Sequence, residues 1–349
     1  MVSNNDKGIK WTDKQIEDAK NDFRVFLFMV WRAIGLPAPT ERQYEIADTL
    51  QDKPSNSLLI EGFRGIAKSY ITCAYVVWRL WKDRNLKVLV VSASRDKVME
   101  NAKFIRRIIA NEFLPFLHEM DPNNIQVKKR KSGPRIKGLD TQIAFDVAGC
   151  KPAIAPSVKV VGINGQMTGS RADLIVADDV EIPNNSGTAL KREQLLAKTN
   201  EFEDILTPGG EIIYLGTPQT EASIYEQLKQ KGYACRIWPF LYPNQQELAF
   251  YGDALAPSIK NKAESNNLYW AGRCTEPGRF SAKDVERRKR CGKTRFMLQY
   301  MLNTSLSDME HYPLKTADMI ITNLSSYEAS NVWAWDANRD NLIDLPNVG

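Results

Sequence analysis

Histidine is almost missing from this chain: 349 residues contain only His118 and His311. The five cysteines (Cys73, Cys150, Cys235, Cys274 and Cys291) form no C-x-x-C pair. Too few ligands at the wrong spacing exclude a zinc site built from His and Cys. Scattered thiols also give no disulfide framework; they read as small buried hydrophobes kept reduced in a cytoplasm. Long apolar runs are lacking too. The longest, 26–31, falls far short of the roughly 20 residues that a bilayer crossing needs, and no charged-then-apolar leader opens the chain. A soluble protein with no membrane partner is expected. The net charge of +5 is modest, so the field of the whole chain argues only weakly for a polyanionic partner.

What is present is a core. With 43% hydrophobic residues, the chain has enough apolar side chain for one large domain or a domain with a smaller appendage. Thr12 followed by Gln15 is a capping-box signature and predicts a long helix over 12–34. Pro37 and Pro39 then break the chain, and a second box, Thr40 with Gln43, starts another helix that ends before Pro54. From there strand and helix alternate. A short apolar run at 58–60 leads through a glycine-containing turn into a helix over 68–81 and a buried strand at 87–92, a βαβ unit. Further strands are predicted at 142–147, 158–163, 173–177, 211–215 and 234–238. Unalternated apolar strands of this kind predict an α/β fold with a mostly parallel central sheet and helices on both faces. After about residue 245 strands become hard to find, and helices are predicted near 282–290 and 296–302. The expected division is a helical lid segment at 1–55, an α/β core at 56–245, and a smaller helical subdomain with linker at 246–349.

Three motifs carry chemistry. Gly62-Phe63-Arg64-Gly65-Ile66-Ala67-Lys68-Ser69 fits G-x-x-x-x-G-K-[ST] except that Ala67 replaces the second glycine. Because the octapeptide follows a strand and opens a helix, its amides and the positive helix end can face phosphate oxygens. Lys68 then reaches the outer phosphates of ATP, and Ser69 ligates Mg2+. Arg64 adds a cation that can stabilise transition-state charge, or else makes a surface ion pair. Gln43, upstream, is placed to read an adenine edge, although the N3 position of a capping box favours Gln for local reasons. The second motif is an apolar strand that runs straight into Asp178-Asp179-Val180-Glu181. Carboxylates at a buried strand end need compensation, and a bound cation supplies it. Asp178 is therefore the expected magnesium partner. Either Asp179, by position, or Glu181, by its length, activates the attacking water; if extended geometry continues, the two face the same side. Arg171, just before this strand, is either an arginine finger offered to a neighbouring subunit or a structural ion-pair partner. In the third motif, Gly216-Thr217-Pro218-Gln219 ends a strand, where Thr217 can sense the γ-phosphate and pass on its loss.

Two basic runs stand apart: 128–131, continued by Arg135 and Lys137, and Arg287-Arg288-Lys289-Arg290. Each either neutralises backbone phosphates or is a solvated face.

Together these blocks resemble the large terminase subunit of short-tailed phages. The similarity runs through FRGIAKSYITCAYVVW, KVLVVSAS, MTGSRADLIVADDVEIPNNS, IIYLGTPQTE, FMLQYMLN and DLPNVG, with FLFMVWRAIGLPAPT near the start. The resemblance implies an additional-strand, RecA-like P-loop ATPase. It implies a homo-oligomeric ring, a pentamer, that works at the portal vertex of a procapsid with the portal protein and the small terminase subunit, pumping double-stranded viral DNA inward. It puts the phosphate loop on residues 62–69, the acidic motif on Asp178 and Asp179, and the coupling motif on residues 216–218. Members of that family continue into an RNase H-like nuclease domain; this chain stops about where that domain begins, so no nuclease activity is expected of it. Two rival readings exist. A two-lobed helicase shares the motifs but needs a second RecA-like lobe, which the residues after the coupling motif do not suggest. A non-hydrolysing, nucleotide-dependent DNA-binding module conflicts with the intact acidic run.

Overall fold

Asp22 divides the first predicted helix. In the structure, a computed structural model describing residues 9–124, 139–167, 169–220 and 222–304 and two short strands beyond, α1 spans Asp13–Asn21 and α2 Phe23–Ala33. Asp22 between them is extended (φ −121°, ψ 115°), and its carboxylate accepts from the Arg24 amide at 2.7 Å. An Asp side chain that satisfies an orphan amide favours a new helix start over continuation, which is why one expected helix became two. The Thr12 and Thr40 capping boxes both form, the second opening α3 (Glu41–Gln51).

The alternation follows as β1 (Ser57–Gly62), α4 (Lys68–Lys82), β2 (Val88–Ser92), α5 (Arg95–Ile109), β3 (Ala144–Phe145), β4 (Val158–Gly162) and β5 (Ala172–Asp178). Next come α6 (Pro183–Ser186), α7 (Ala189–Ile205), β6 (Leu206–Gly216), α8 (Ile224–Gln230) and β7 (Ala234–Trp238). The strands form one sheet in the order β3-β4-β2-β5-β6-β1-β7, parallel except for the β3–β4 pair. The strand expected at 142–147 shrinks to two residues. Thr141 explains this: its hydroxyl accepts from the Ala144 amide and its own amide donates to the Ala144 carbonyl, closing a turn where a ladder would run.

Leu58, Ile60, Val88, Val90, Leu174, Val176, Ile213 and Leu215 point to one face, covered by α1 to α5; Leu59, Leu89, Val91, Ile175, Ile212 and Tyr214 point to the other, under α7 and α8. Apolar residues on both pleats are what made these strands read as continuous hydrophobic runs. On the first face α1 and α2 dock through an aromatic cluster in which Phe23 lies 5.3 Å from both Tyr75 and Trp78.

Beyond β7 the chain is helical through residue 304: α9 (Gln245–Tyr251), α10 (Pro257–Ser265), α11 (Asn267–Trp270), α12 (Ala282–Lys289) and α13 (Lys293–Phe296). The helix expected at 296–302 is instead a π-helical turn, Met297–Met301, stopped by Leu302 in the left-handed region (φ 58°). These helices share the core of the sheet's first face, and Met1–Asp308 forms one unit. The expected divisions at 55/56 and 245/246 therefore fall inside that unit. A second unit, Met309–Gly349, carries a short antiparallel pair, β8 (Trp333–Trp335) and β9 (Leu342–Asp344), which the sequence reading missed. No described helix is long and apolar enough to cross a membrane.

Truncating Phe23 to Ala removes a fully buried ring from this cluster and should lower the unfolding free energy by about 3–5 kcal/mol. Removing the Asp22 cap with Ala should cost only about 1 kcal/mol. Urea denaturation of the two variants measures both, and equal losses would contradict the packing described.

Candidate nucleotide-hydrolysis site

Sheet register brings the three motifs together. Asp178 lies opposite Ser92 on β2 and Leu215 on β6, while Gly216 lies opposite Glu61 on β1, so the C-terminal strand ends form one row. In an open parallel sheet this edge is where ligands bind.

The loop 62–69 turns from β1 into α4 in a conformation that needs its glycines for different reasons. At Gly62 an added Cβ would meet Ile66 Cγ2 at 3.0 Å and Lys68 Cδ at 3.1 Å, so a side chain there would push the loop's own Ile66 and Lys68 aside. Gly65 has φ 105°, which only glycine adopts without strain. Ala67, which replaces the usual glycine, is held at φ 77° and ψ 30°. A left-handed alanine costs roughly 1–2 kcal/mol, strain of the kind that gathers at functional sites.

Ala67 caps a 15-residue helix whose first amides, at Lys68, Ser69 and Tyr70, have no intrahelical acceptor and point along the positive end of its dipole. The Arg64 amide is not part of that cradle: it donates to the Gln299 carbonyl at 2.9 Å. The Arg64 guanidinium donates to Gln299 Oε1 at 3.2 Å.

Lys68 is buried. Its ammonium donates to the Gly62 carbonyl at 2.5 Å and to the Thr217 hydroxyl at 3.2 Å, joining the first motif to the third. Ser69 Oγ donates to Asp178 Oδ1 at 2.9 Å, joining the first to the second. The other carboxylate oxygen of Asp178 accepts from Asn101 Nδ2 at 3.0 Å. Burial raises the Asp178 carboxyl above its ordinary range and the neighbouring Asp179 charge adds to this, while the bonds from Asn101 and Ser69 and the nearby Lys97 oppose it.

Asp179 and Glu181, read as alternatives, take up different environments. Asp179 sits at φ 45°, so the extended geometry that would put both on one side stops there. Asp179 Oδ1 is buried with no hydrogen-bond partner among the described residues, as is Ser92 Oγ in the same row. Glu181 turns instead toward the segment after the third motif. It accepts from the Gln219 amide at 3.0 Å, the Ser223 hydroxyl at 2.8 Å and the Ile224 amide at 2.8 Å. Burial raises its carboxyl, and these three donors oppose the shift.

Gln43 does reach the phosphate loop, with its amide committed at both ends. Nε2 donates to the Ile66 carbonyl at 3.0 Å while Oε1 caps α3 through the Thr40 amide. Arg171 is not brought to the site. It precedes β5 at the opposite end from Asp178, roughly 20 Å away at the usual rise per strand residue, and its guanidinium donates to the carbonyls of Ser170 and Asp204.

The donor set fits magnesium bound with a triphosphate. Mg2+ typically takes one or two protein oxygens and keeps phosphates and water for the rest of its shell. Ser69 Oγ and Asp178 Oδ1 are such a pair. Among the described residues no group of three His, Cys, Asp or Glu side chains stands ready to hold a metal alone.

Sequence reasoning missed Asn101 and Gln299, and it named Gln219 in the third motif without giving it a role. Nothing local marks Asn101 and Gln299, since their partners lie 77 and 235 residues away.

If Glu181 is a tether, replacing it with Ala leaves three buried donors without an acceptor and should cost about 2–4 kcal/mol. Asp179→Asn should leave stability within about 1 kcal/mol. Chemical denaturation separates the two, and equal losses would contradict these separate roles.

No protein-family model matches the chain. The terminase large subunit of Enterobacteria phage T3 is 45% identical over 340 residues, which is 96% of this chain and 56% of that protein. The chain thus spans about half the length of this curated relative. Among solved structures, the large terminase of bacteriophage HK97 aligns at a TM-score of 0.44 and 15% identity, covering 78% of this chain and 51% of that one. A mutant ATPase domain of the Thermus phage P74-26 large terminase aligns at 0.38 and 12%, covering 78% and 96%. Both likenesses are loose, and the fold stands on the chain's own topology. At the level of sequence, and for the part of that protein which this chain spans, the chain is established as a relative of the large terminase subunits of short-tailed phages.

Proposed function

We propose that this chain hydrolyses ATP with Mg2+ and that turnover drives double-stranded viral DNA through the portal into a procapsid. One observation carries the ATPase reading: Lys68–Thr217 at 3.2 Å and Ser69–Asp178 at 2.9 Å gather three distant motifs at one sheet edge. The name of the phage T3 relative, a terminase large subunit, supports the packaging half.

In this reading the α4 amides and Lys68 hold the outer phosphates, and Ser69 and Asp178 hold Mg2+. Bound Mg2+ supplies neutralisation of the phosphate charge. Asp179 is the better candidate for orienting and deprotonating the attacking water, because it has a buried oxygen with no partner among the described residues, whereas Glu181 is fully engaged. Thr217 is released or held by Lys68 according to what the lysine grips. Gln43 contributes by bracing the loop from behind at the Ile66 carbonyl rather than by reading the base. Arg64 remains a candidate cation beside the phosphates. Arg171, far from this chain's own site, would act only across a subunit boundary. The helicase alternative is not favoured: described residues 245–304 pack as helices on the same sheet and form no second parallel sheet.

The wider setting belongs to the same proposal: a pentameric ring, the portal protein and small terminase subunit as partners, transient residence at the portal vertex in the host cytoplasm, and a helical lid and linker flanking the core. The basic run at 128–131, with Arg135 and Lys137, lies outside the described residues. Of the second run, Arg287, Lys289 and Arg290 are exposed; Arg287 and Lys289 pair with Asp284 at 3.0 Å and Glu286 at 3.1 Å, surface pairs that DNA phosphates would have to displace. Arg288 is not, because its guanidinium lies 4.3 Å from the Phe280 ring centroid and within 6 Å of Phe240 and Tyr300.

Lys68→Ala should abolish magnesium-dependent ATP turnover, and Asp179→Asn should lower kcat by about 100-fold or more with the fold intact. Turnover surviving the lysine change would remove the reading. Reversing Arg287, Lys289 and Arg290 to Glu, sparing Arg288, should reduce DNA-stimulated turnover more than basal turnover and flatten its salt dependence. Equal losses of stimulated and basal rates would place these residues outside any DNA contact.

A further inference from the structure

Gln299 lies in the FMLQYMLN block, 235 residues from the phosphate loop, and belongs to none of the three motifs. It is only 9% exposed. Its side chain nevertheless bridges two of those motifs. Oε1 accepts from Arg64 Nη1 at 3.2 Å, and Nε2 donates to Gln219 Oε1 at 3.3 Å.

The orientation of each amide is forced by its neighbours. Gln219 Nε2 donates to the Thr217 carbonyl at 2.8 Å, so the Gln219 oxygen faces Gln299. An oxygen there demands a donor, which turns the nitrogen of Gln299 toward it and the oxygen toward the guanidinium. From Gln219 the chain of contacts continues through its backbone amide to Glu181, and from Glu181 to the start of α8.

The backbone supports the same link. In an α-helix the carbonyls of residues 299 and 300 would accept from amides four positions on. Here the chain turns out of the helix at Leu302 (φ 58°), which leaves them free, and they accept instead from the amides of Arg64 at 2.9 Å and Phe240 at 2.8 Å. Single π turns often mark functional sites. This one fastens the loop after β1 and the loop after β7 to a single element.

We infer that Gln299 is a positioning residue that holds Arg64 of the phosphate loop in register with Gln219 of the coupling segment, so that a change at the phosphates reaches Thr217, Glu181 and α8 as one movement. The inference rests on the ATPase reading above. Gln299 touches no reacting atom in this scheme; it acts through Arg64 and Gln219. Its effect should therefore fall on turnover and on coupling, not on nucleotide affinity.

The experiment compares the full chain with Gln299→Met, which keeps the volume but cannot hydrogen-bond, and Gln299→Glu, which keeps the acceptor for Arg64 but cannot donate to Gln219. For both variants we expect kcat to fall about tenfold with KM and the affinity for a fluorescent ATP analogue within about threefold. Nucleotide-dependent amide-exchange protection of residues 217–224 should be lost. Adding Gln219→Ala to Gln299→Met should cost little beyond the larger single effect, since both break one link. Should the Met variant unfold, the Glu variant carries the test alone. Undiminished kcat, a loss confined to KM, retained protection of 217–224, or additive effects would each overturn the inference. Absence of any Lys68-dependent nucleotide binding or turnover in the unsubstituted chain would instead overturn the ATPase reading itself.

Discussion

A carboxylate 1% exposed at the end of a central strand is the constraint around which this molecule is arranged. Left alone, a buried charge of this kind would cost several kcal/mol and would take up a proton instead. Asp178 is held by a serine from the first helix after β1 and an asparagine from the helix after β2, one on each oxygen. Those two bonds fix where α4 and α5 begin and run relative to β5. The same serine is the residue that the phosphate loop delivers, so the geometry that stabilises Asp178 also brings loop and acidic strand to one proposed metal position.

The other face of the sheet has its own buried acid. Glu61, one residue before the loop, is fully buried, and burial pushes its carboxyl up to about 7 despite Lys229 Nζ at 3.0 Å. Lys229 in turn is raised by Glu61 and Glu226 although burial pulls it down. Lys229 lies on α8, the helix whose first amide is held by Glu181. Helix α8 is thus fastened to β1 at one end and to the acidic strand at the other. Tyr225 between them packs so closely that a Cβ on Gly216 would meet its ring at 2.5–2.7 Å.

Much of this was legible in the sequence, for identifiable reasons. Parallel strands buried on both faces leave uninterrupted apolar runs, so β2, β4, β5 and β7 were found nearly to the residue, while of β6 only the apolar C-terminal half was read and its polar start, 206–210, was not. Local hydrogen bonds also announce themselves: Thr12 and Thr40 with Gln15 and Gln43 three positions on formed the boxes they spelled. Errors arose where a side chain competed locally with periodicity, as at Asp22, or where a turn closed on itself, as at Thr141. The phosphate loop, the acidic strand and the threonine were legible because each is contiguous in sequence. Asn101 and Gln299 were not, because their partners exist only once the sheet has set the register.

The choice between Asp179 and Glu181 shows the limit most sharply. By spacing alone, two carboxylates two residues apart at the end of a strand share a face, and the longer has the better reach. That inference assumes an extended backbone through Asp179. The chain instead turns there at φ 45°, a conformation that Asp tolerates better than most residues because its short side chain bonds locally. The turn sends Glu181 across to Ser223 and Ile224 and leaves Asp179 beside Asp178. One dihedral therefore decides which acid keeps a buried oxygen with no partner among the described residues and which is tied to the start of α8. No pattern of residue types contains that dihedral, nor the three donors, the Gln219 and Ile224 amides and the Ser223 hydroxyl, that await an acceptor where Glu181 arrives.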